Sequence, residues 1–427
     1  MKNLNLIIDI LSKTNASDYS VLATDTSSYE LFFVHGKLET VRKSLHSSAQ
    51  VSVFSAHDGK LGSASFGIDE NAAAEEIQVK CNEAAKRAAM ISDEPYTIPC
   101  CDEKTDEVIK SNLVGQDEKQ IGAQVGKAVL EACTKADCGI NALEVFVTTT
   151  VSNVVNSKGL NKRQTKHTVS VEAIPTCNAA EESVELFETY TFGELDIDLI
   201  TQEIAARIDD VSARAHAVKP TSKLSCPVIF NPYELKTLFE ELVSDSNFAN
   251  AYLHTNLHSV GDSWQTAPNG DTLTVTMRGA IKGSPNSALF DRDGVTLADK
   301  RIIENGKIIA GYGANRFAQY LGEAPTGALA CIDVDCGATP IADMLSAPHL
   351  ECVYLSGLQV DLYNDYIGGE IRLAYYFDGT KRTPVTGIAI SGRLSDVLNK
   401  LTLSKERALL GSYSGPKKIK FEGFNIF

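Results

Sequence analysis

Polar and apolar residues alternate with a period of two through much of the first half of the chain. The alternating stretches are Tyr19–Thr26, Tyr29–His35, Leu38–Ser47, Val51–His57 and Leu61–Phe66. Such alternation sends successive side chains to opposite faces and predicts strands with one buried face. Asp58-Gly59 supplies a two-residue hairpin turn between the last two. The period then changes. Ala73, Ile77, Cys81, Ala84 and Ala88 recur at helical spacing, so a helix is expected from the Ser65-Phe-Gly-Ile-Asp69 junction to about Met90.

A second passage repeats this order. A helix is predicted over Glu118–Ala136, then strands over Leu143–Asn156 and Gln164–Pro175 around an Asn156-Ser-Lys-Gly159 turn. A strand over Val184–Phe192 enters Thr191-Phe-Gly-Glu-Leu-Asp196. The helix behind it, Ile197–Ala217, carries Ile200, Ile204, Ile208 and Val211 on one face. The shared strand–Phe-Gly–Asp–helix junction predicts one unit used twice. Met1–Lys13 reads as an amphipathic helix, and Asp9 interrupts its apolar run too early for a secretory signal. Glu94–Asp106, with two prolines and the Cys100-Cys101 pair, is expected to be a linker, and Lys219–Lys223 a second boundary.

Beyond that boundary the pattern is mostly strand. Thr272–Gly279 alternates, and Asn305-Gly306 between Arg301-Ile-Ile-Glu304 and Lys307-Ile-Ile-Ala310 is a strong hairpin signal. Ile371–Phe377 and Val385–Ile390 form another expected pair, and Gly392–Leu401 a short closing helix. The expected fold is α+β. Duplicated antiparallel-sheet-plus-helix units occupy residues 1–95 and 107–218, and a β-rich C-terminal domain occupies 224–427.

Composition narrows the function. The chain has 427 residues, 22% charged and 43% hydrophobic, as in soluble globular proteins. A net charge of −15 argues against nucleic acid and against anionic membrane surfaces, which repel acidic proteins. The basic runs Lys158–Arg163 and Lys417–Lys420 are short and read as solvated faces. No stretch approaches the roughly 20 apolar residues of a membrane-spanning helix. Ten cysteines without a signal segment are expected to be reduced thiols in a cytoplasmic protein. Cys133/Cys138 and Cys331/Cys336 lack the spacing of a zinc site.

One segment, Cys226–Asp245, has the form in which a zinc peptidase helix is often presented: a short apolar strand running into a helix. Such a helix needs two histidines one turn apart, with a glutamate to take a proton from the metal-bound water. This helix offers Glu240, Glu241 and Asp245, and no His in the chain is followed by Glu. Three carboxylates suit a hard cation such as Mg²⁺ or Ca²⁺ but fall short of its usual ligand count, which favours a solvated acidic face. His254 and His258 are the close histidine pair, without a Glu between them and beside Gly261, and read as surface or structural residues. Asp291-Arg-Asp-Gly294 reads as a turn, since the later ligands of a calcium loop are missing. Gly311–Arg316 is no phosphate loop, and Gly411-Ser-Tyr-Ser-Gly415 has tyrosine at the nucleophile position of a serine-hydrolase elbow.

The second half resembles the TldD/PmbA family (also called TldD/TldE), once named modulators of DNA gyrase. The resemblance rests on Phe290-Asp-Arg-Asp-Gly-Val295, Ile303-Glu-Asn-Gly-Lys307, Tyr320-Leu-Gly322 followed by Pro325-Thr-Gly327, Asn364 before Gly368-Gly369, and Pro384-Val-Thr-Gly-Ile-Ala-Ile-Ser-Gly-Arg-Leu394. In the catalytic branch a His-Glu-x-x-x-His helix and a C-terminal cysteine hold zinc. Laid on this chain, that helix puts Glu240 and Asp245 at the histidines and Glu241 at the general base, and the last cysteine is Cys352. The resemblance therefore implies the PmbA/TldE branch, with no cofactor expected in this chain. It also implies pairing with a zinc-bearing TldD-like subunit, or with itself, in a cytosolic protease of unstructured peptides. Extended peptides would lie along the C-terminal sheet, with Asn364, Tyr366, Gly368 and Gly369 as the candidate groove, against the plainer reading of a tight turn. An independent peptidase using a carboxylate-held metal or another site, and a stand-alone peptide-binding protein, are the alternatives.

Overall fold

Three long strands carry the first alternating stretch, where the sequence predicts five shorter ones. The computed structural model describes residues 1–100, 104–178 and 183–427; Cys101 lies outside the described residues. Helix α1 (Leu4–Leu11) precedes β1 (Asp18–Val34), β2 (Lys37–His57), β3 (Lys60–Asp69) and α2 (Ala74–Ala88). The breaks expected at Ser27-Ser28 and Ser48–Gln50 are paired in register instead, and the polar side chains of the ladder find partners across it. Ser28 Oγ lies 3.2 Å from Thr148 Oγ1, and Glu30 accepts from Arg42 Nε at 2.5 Å and Ser44 Oγ at 2.6 Å. With cross-strand partners for the side chains, nothing stops the backbone ladder.

The short β4 (Lys104–Val108) leads to the second unit: α3 (Glu118–Glu131), β5 (Cys138–Asn156), β6 (Asn161–Cys177), β7 (Val184–Glu185), β8 (Glu188–Phe192) and α4 (Ile197–Ala215). Helix, hairpin, third strand and helix thus recur in the order of the first unit. The two hairpins join through an antiparallel β1–β5 pair running from Ser20↔Asn156 to Val34↔Ala142. One sheet of order β3-β2-β1-β5-β6-β4 results, with β7 and β8 also on β6. Alternate residues of β5 and β6 (Leu143, Val145, Val147; Val169, Val171, Ala173) are buried beneath α3 and α4, and Val21, Val51 and Val53 beneath α1 and α2.

The described part of the expected linker is packed. Tyr96 meets Phe54 edge-on at 6.0 Å, Ile98 is buried, and the Thr97 carbonyl accepts from Asn315 and Gln319, both at 2.8 Å. Its apolar residues fill the space between the N-terminal sheet and the C-terminal region.

The C-terminal region begins with β9 (Val228–Phe230), α5 (Pro232–Ser244) and α6 (Phe248–Leu253). Next come β10 (Val275–Arg278), β11 (Lys300–Glu304), β12 (Lys307–Ile308), α7 (Asn315–Leu321), β13 (Cys331–Val334) and α8 (Ile341–Met344). Then follow β14 (His349–Leu355), β15 (Gln359–Asp361), β16 (Tyr366–Phe377), β17 (Arg382–Val385), β18 (Ile388–Arg393) and α9 (Leu394–Leu398). The chain closes with β19 (Leu401–Leu403), β20 (Arg407–Leu410), β21 (Tyr413–Pro416), β22 (Ile419–Phe421) and β23 (Asn425–Ile426).

These strands form two sheets, β12-β11-β10-β13-β21-β20 and β19-β22-β9-β14-β16-β18-β23, the latter with β15 and β17 on β16. One hydrophobic core joins both sheets to α5. Leu235, Leu238, Phe239 and Leu242 of α5 are wholly buried there, each worth about 1.5–3 kcal/mol of apolar burial. The fold is α+β, as the sequence predicts. Among the described residues no helix is long and apolar enough to cross a membrane.

Candidate functional site

Helix α5 carries the carboxylates that the resemblance lays on a metal-site helix. Three buried residues of β9 feed it, Asn231 turns the chain, and Pro232 opens its first turn, where a missing N–H costs nothing. The apolar face sinks into the core, with Phe239 stacked on Tyr413 at 5.7 Å. Spacing of 3.6 residues per turn then decides the fate of each carboxylate.

Glu240 and Glu241 are exposed. Glu240 accepts from Ser412 Oγ at 2.7 Å, with Lys236 Nζ at 3.8 Å. Asp245, just past the helix, is 2% exposed and turns inward. Its oxygens accept from the Leu257 N–H at 2.6 Å, the His258 N–H at 3.0 Å and His258 Nδ1 at 2.9 Å. The carboxylate therefore anchors the loop after α6, and His258 rests on Trp264 with ring centroids 4.1 Å apart. His254 caps α6 in the left-handed conformation (φ +55°) and is exposed, so the two histidines serve different contacts. Zinc requires three or four donors converging on one point. The oxygens of Glu240 and Asp245 are directed to different partners, and among the described residues no group of three or more His, Cys, Asp or Glu could hold a metal. This donor set does not fit zinc.

The charged chemistry lies at the other end of α5, where the sequence offers no motif. Lys418 Nζ donates to Asn231 Oδ1 at 2.6 Å and to Glu351, and Arg382 donates to Glu351 at 3.2 Å. Burial pushes the Glu351 carboxyl up, but the Lys418 and Arg382 charges outweigh it and hold it below the usual range. Arg382 lies 3.3 Å over the Tyr375 ring, whose hydroxyl donates to Asp210 at 3.0 Å. Asp210 pairs with Arg207 at 2.8 Å, which carries the network onto α4.

Glu234 stands beside this network, 1% exposed, with neither carboxyl oxygen hydrogen-bonded. Burial raises its pKa to about 8, and the Arg207 and Lys418 charges only partly oppose that. One signal in the sequence points to it: Glu234 lies one turn before Leu238 on the face that carries Leu235, Phe239 and Leu242.

The candidate groove residues sit at and after the β15–β16 turn. Asn364 donates through its backbone and side chain to Asp361, at 3.0 and 2.6 Å, and Tyr363, the exposed aromatic beside it, donates to the Thr255 carbonyl. Tyr366 pairs with Asp361 and Arg393, and Gly368 with Gln359 of β15 and Ser391 of β18. A Cβ on Gly368 would stand 2.5 Å from the Ile390 carbonyl, and one on Gly369 2.7 Å from that of Gly357. The close backbone approach that the glycines permit is thus made by the chain's own strands. Asp291 closes its turn by accepting from the Asp293, Val295 and Ala328 N–H groups, each at 3.0 Å. A cavity of about 180 Å³ lies between this turn and the N-terminal sheet, lined by Ser52, Ser65, Tyr96, Asp293 and Arg316 among others.

A helix sunk between two sheets behind a duplicated N-terminal sheet has counterparts among known proteins. Residues 223–427 match the family described as PmbA/TldA metallopeptidase C-terminal domain. No match was found among curated proteins. Among solved structures, TldE from Thermococcus kodakarensis superposes with a TM-score of 0.81 at 18% identity, over 99% of both chains. A protein of Thermotoga maritima, provisionally described as a modulator of a DNA gyrase, gives 0.76 at 14% identity, over 96% of both. One of Bacteroides thetaiotaomicron with the same provisional description gives 0.77 at 16%, over 100% of this chain and 98% of that one. The C-terminal region thus matches the PmbA/TldA metallopeptidase C-terminal domain, and the whole chain shares the fold of these structures.

Proposed function

We propose that this chain is a non-catalytic, TldE-like subunit of a cytosolic TldD/TldE-type metalloprotease. It holds extended peptides for a zinc-bearing TldD-like partner, which does the hydrolysis. The observation that carries the reading is the state of α5. A short strand still runs into a helix, and Glu240, Glu241 and Asp245 stand where the resemblance puts histidine, base and histidine. Asp245 is already saturated by three donors of its own loop. Carboxylates pointing apart cannot stand in for two imidazoles that converge on one zinc ion. The acidic net charge supports a peptide over a nucleic-acid substrate.

In this reading an extended peptide lies along the C-terminal sheet near Asn364 and Tyr366, held by backbone hydrogen bonds that tolerate many sequences. Co-expression with a TldD-like chain, followed by co-purification and cleavage of an unstructured peptide, tests the proposal. The pair should cut, this chain alone should not, and metal should travel with the partner. Cleavage by this chain alone, with a bound metal lost in Glu240→Ala, would replace the reading with an independent peptidase. Peptide binding without any co-purifying partner would replace it with a stand-alone binding protein.

A further inference from the structure

Among the described residues, the duplicated sheet is mostly covered on one side and open on the other. In the second unit β6 is paired along nearly its whole outer side: Asn161–Thr165 with β4, Val169–Ala173 with β8, and Thr176–Cys177 with β7. In the first unit β3 covers only Ser48–His57 of β2. Among the described residues nothing pairs with the outer side of Lys37–Ser47, an edge about 36 Å long at the usual strand rise.

The repeat itself indicates what belongs there. Laying Val34, the end of β1, on Asn156, the end of β5, places the β8 partners Val169–Ala173 on Ser47–Val51, where β3 begins to pair. The same superposition places the β4 partners Asn161–Thr165 on Glu39–Lys43. The missing element is therefore the counterpart of β4, a strand parallel to its neighbour. In the second unit that strand is acidic, Lys-Thr-Asp-Glu-Val, against Asn-Lys-Arg-Gln-Thr, and Asp106 accepts from Arg163 at 2.6 Å.

The open edge is basic in an acidic protein. Lys37, Arg42, Lys43 and His46 stand against Glu39. Arg42 and Lys43 are engaged with Glu30 and Glu118, and both remain more than half exposed. Val41 and Leu45, on the face shared with α3, are 47% and 71% exposed. Strand edges usually carry lysines or bulges that deter neutral neighbours, and this one has two lysines and a register shift opposite Phe32/Phe33. Such an edge discriminates by charge and does not close itself to pairing.

We propose that Glu39–Ser47 of β2 is a docking edge for an extended acidic segment of a partner protein. The segment adds parallel to β2 in the place that β4 holds in the other unit. Main-chain bonds supply the attachment, the lysines select acidic residues, and Val41 and Leu45 receive alternate apolar side chains. Docking here is independent of the proposed subunit role and of the sheet near Asn364.

Hydrogen–deuterium exchange on the full chain tests it, with a ten-residue peptide of two tandem β4 sequences as probe. Amides of 37–47 should slow several-fold on adding millimolar peptide, while those of β4 and β6 stay unchanged. A photo-crosslinker on the peptide's N-terminal end should label Lys37–Glu39, not Leu45–Ser47, if the strand runs parallel. Lys37→Glu should weaken and Glu39→Lys strengthen the protection by about two- to fivefold, the scale of one exposed charge pair. Since one variant is a gain, misfolding cannot imitate the full pattern. Equal protection by a peptide with lysines in place of its acidic residues overturns the proposal, as does no protection at all. Protection of 37–47 that rises with protein concentration without peptide overturns it in favour of a second copy of this chain.

Discussion

The two ends of α5 carry carboxylates of very different standing. At the C-terminal end Glu240 and Glu241 face solvent, and Asp245 is buried but saturated by donors. At the N-terminal end Glu351 is buried between two cations, and Glu234 is buried with no hydrogen-bond partner for its carboxyl oxygens. The difference shows that a helix position matching a metal motif says little about energetics. What a carboxylate costs or contributes depends on whether donors meet it after water has been removed.

The sharpest way to break this comparison is at Lys418. Lys418→Met leaves Glu351 buried with only Arg382 at 3.2 Å and should cost about 3–5 kcal/mol in urea unfolding at pH 7. A loss below about 1 kcal/mol would mean that the two ends are energetically alike.

Next is Glu234, whose pKa rises from 4.5 to about 8 on folding. Between those values the folded chain keeps a proton that the unfolded chain has released. The group's contribution to stability is therefore complete below the unfolded value and is lost as the pH climbs through the folded one. Glu234→Gln should flatten that decline and leave the protein more stable than the parent at about pH 9, by on the order of 3 kcal/mol. Parallel pH–stability curves for parent and variant would remove Glu234 from the account.

At the opposite end Asp245→Asn keeps one acceptor and loses the charge that three donors share, so a cost of about 1–3 kcal/mol is expected. Faster amide exchange at Leu257 and His258 should accompany it. The smallest effect is expected for Glu240→Ala with Glu241→Ala, within about 0.5 kcal/mol of the parent. A stoichiometric metal in the parent that disappears in this double variant would contradict the donor geometry described for α5.

Much of the fold is legible in the sequence because it follows from local periodicity. The period-two stretches become β1, β2, β3, β5 and β6, and Asp58-Gly59 and Asn305-Gly306 make their hairpins, with both residues of each turn at positive φ. The helix behind each third strand is legible from its apolar spacing. The merging of five predicted strands into three is not, because Ser27-Ser28 and Ser48–Gln50 interrupt the alternation until the partner strands are beside them. The short helices α6, α7 and α8 also escape a sequence reading, each too brief to show a period. Glu94–Pro99 looks like a linker for a related reason: the partners that hold it, Phe54, Asn315 and Gln319, lie far away in the chain.

At α5 the residue types alone determine that no pair of imidazoles stands one turn apart. Absence of a side chain is a property of the sequence. Where the remaining carboxylates point is not, because direction and desolvation depend on what packs against the helix from distant segments. Only the tertiary structure gives Asp245 to the His258 loop, sets Lys418 and Arg382 on Glu351, and buries Glu234 without a partner. It alone also leaves β2, among the described residues, without a neighbour where the matching stretch of β6 is covered.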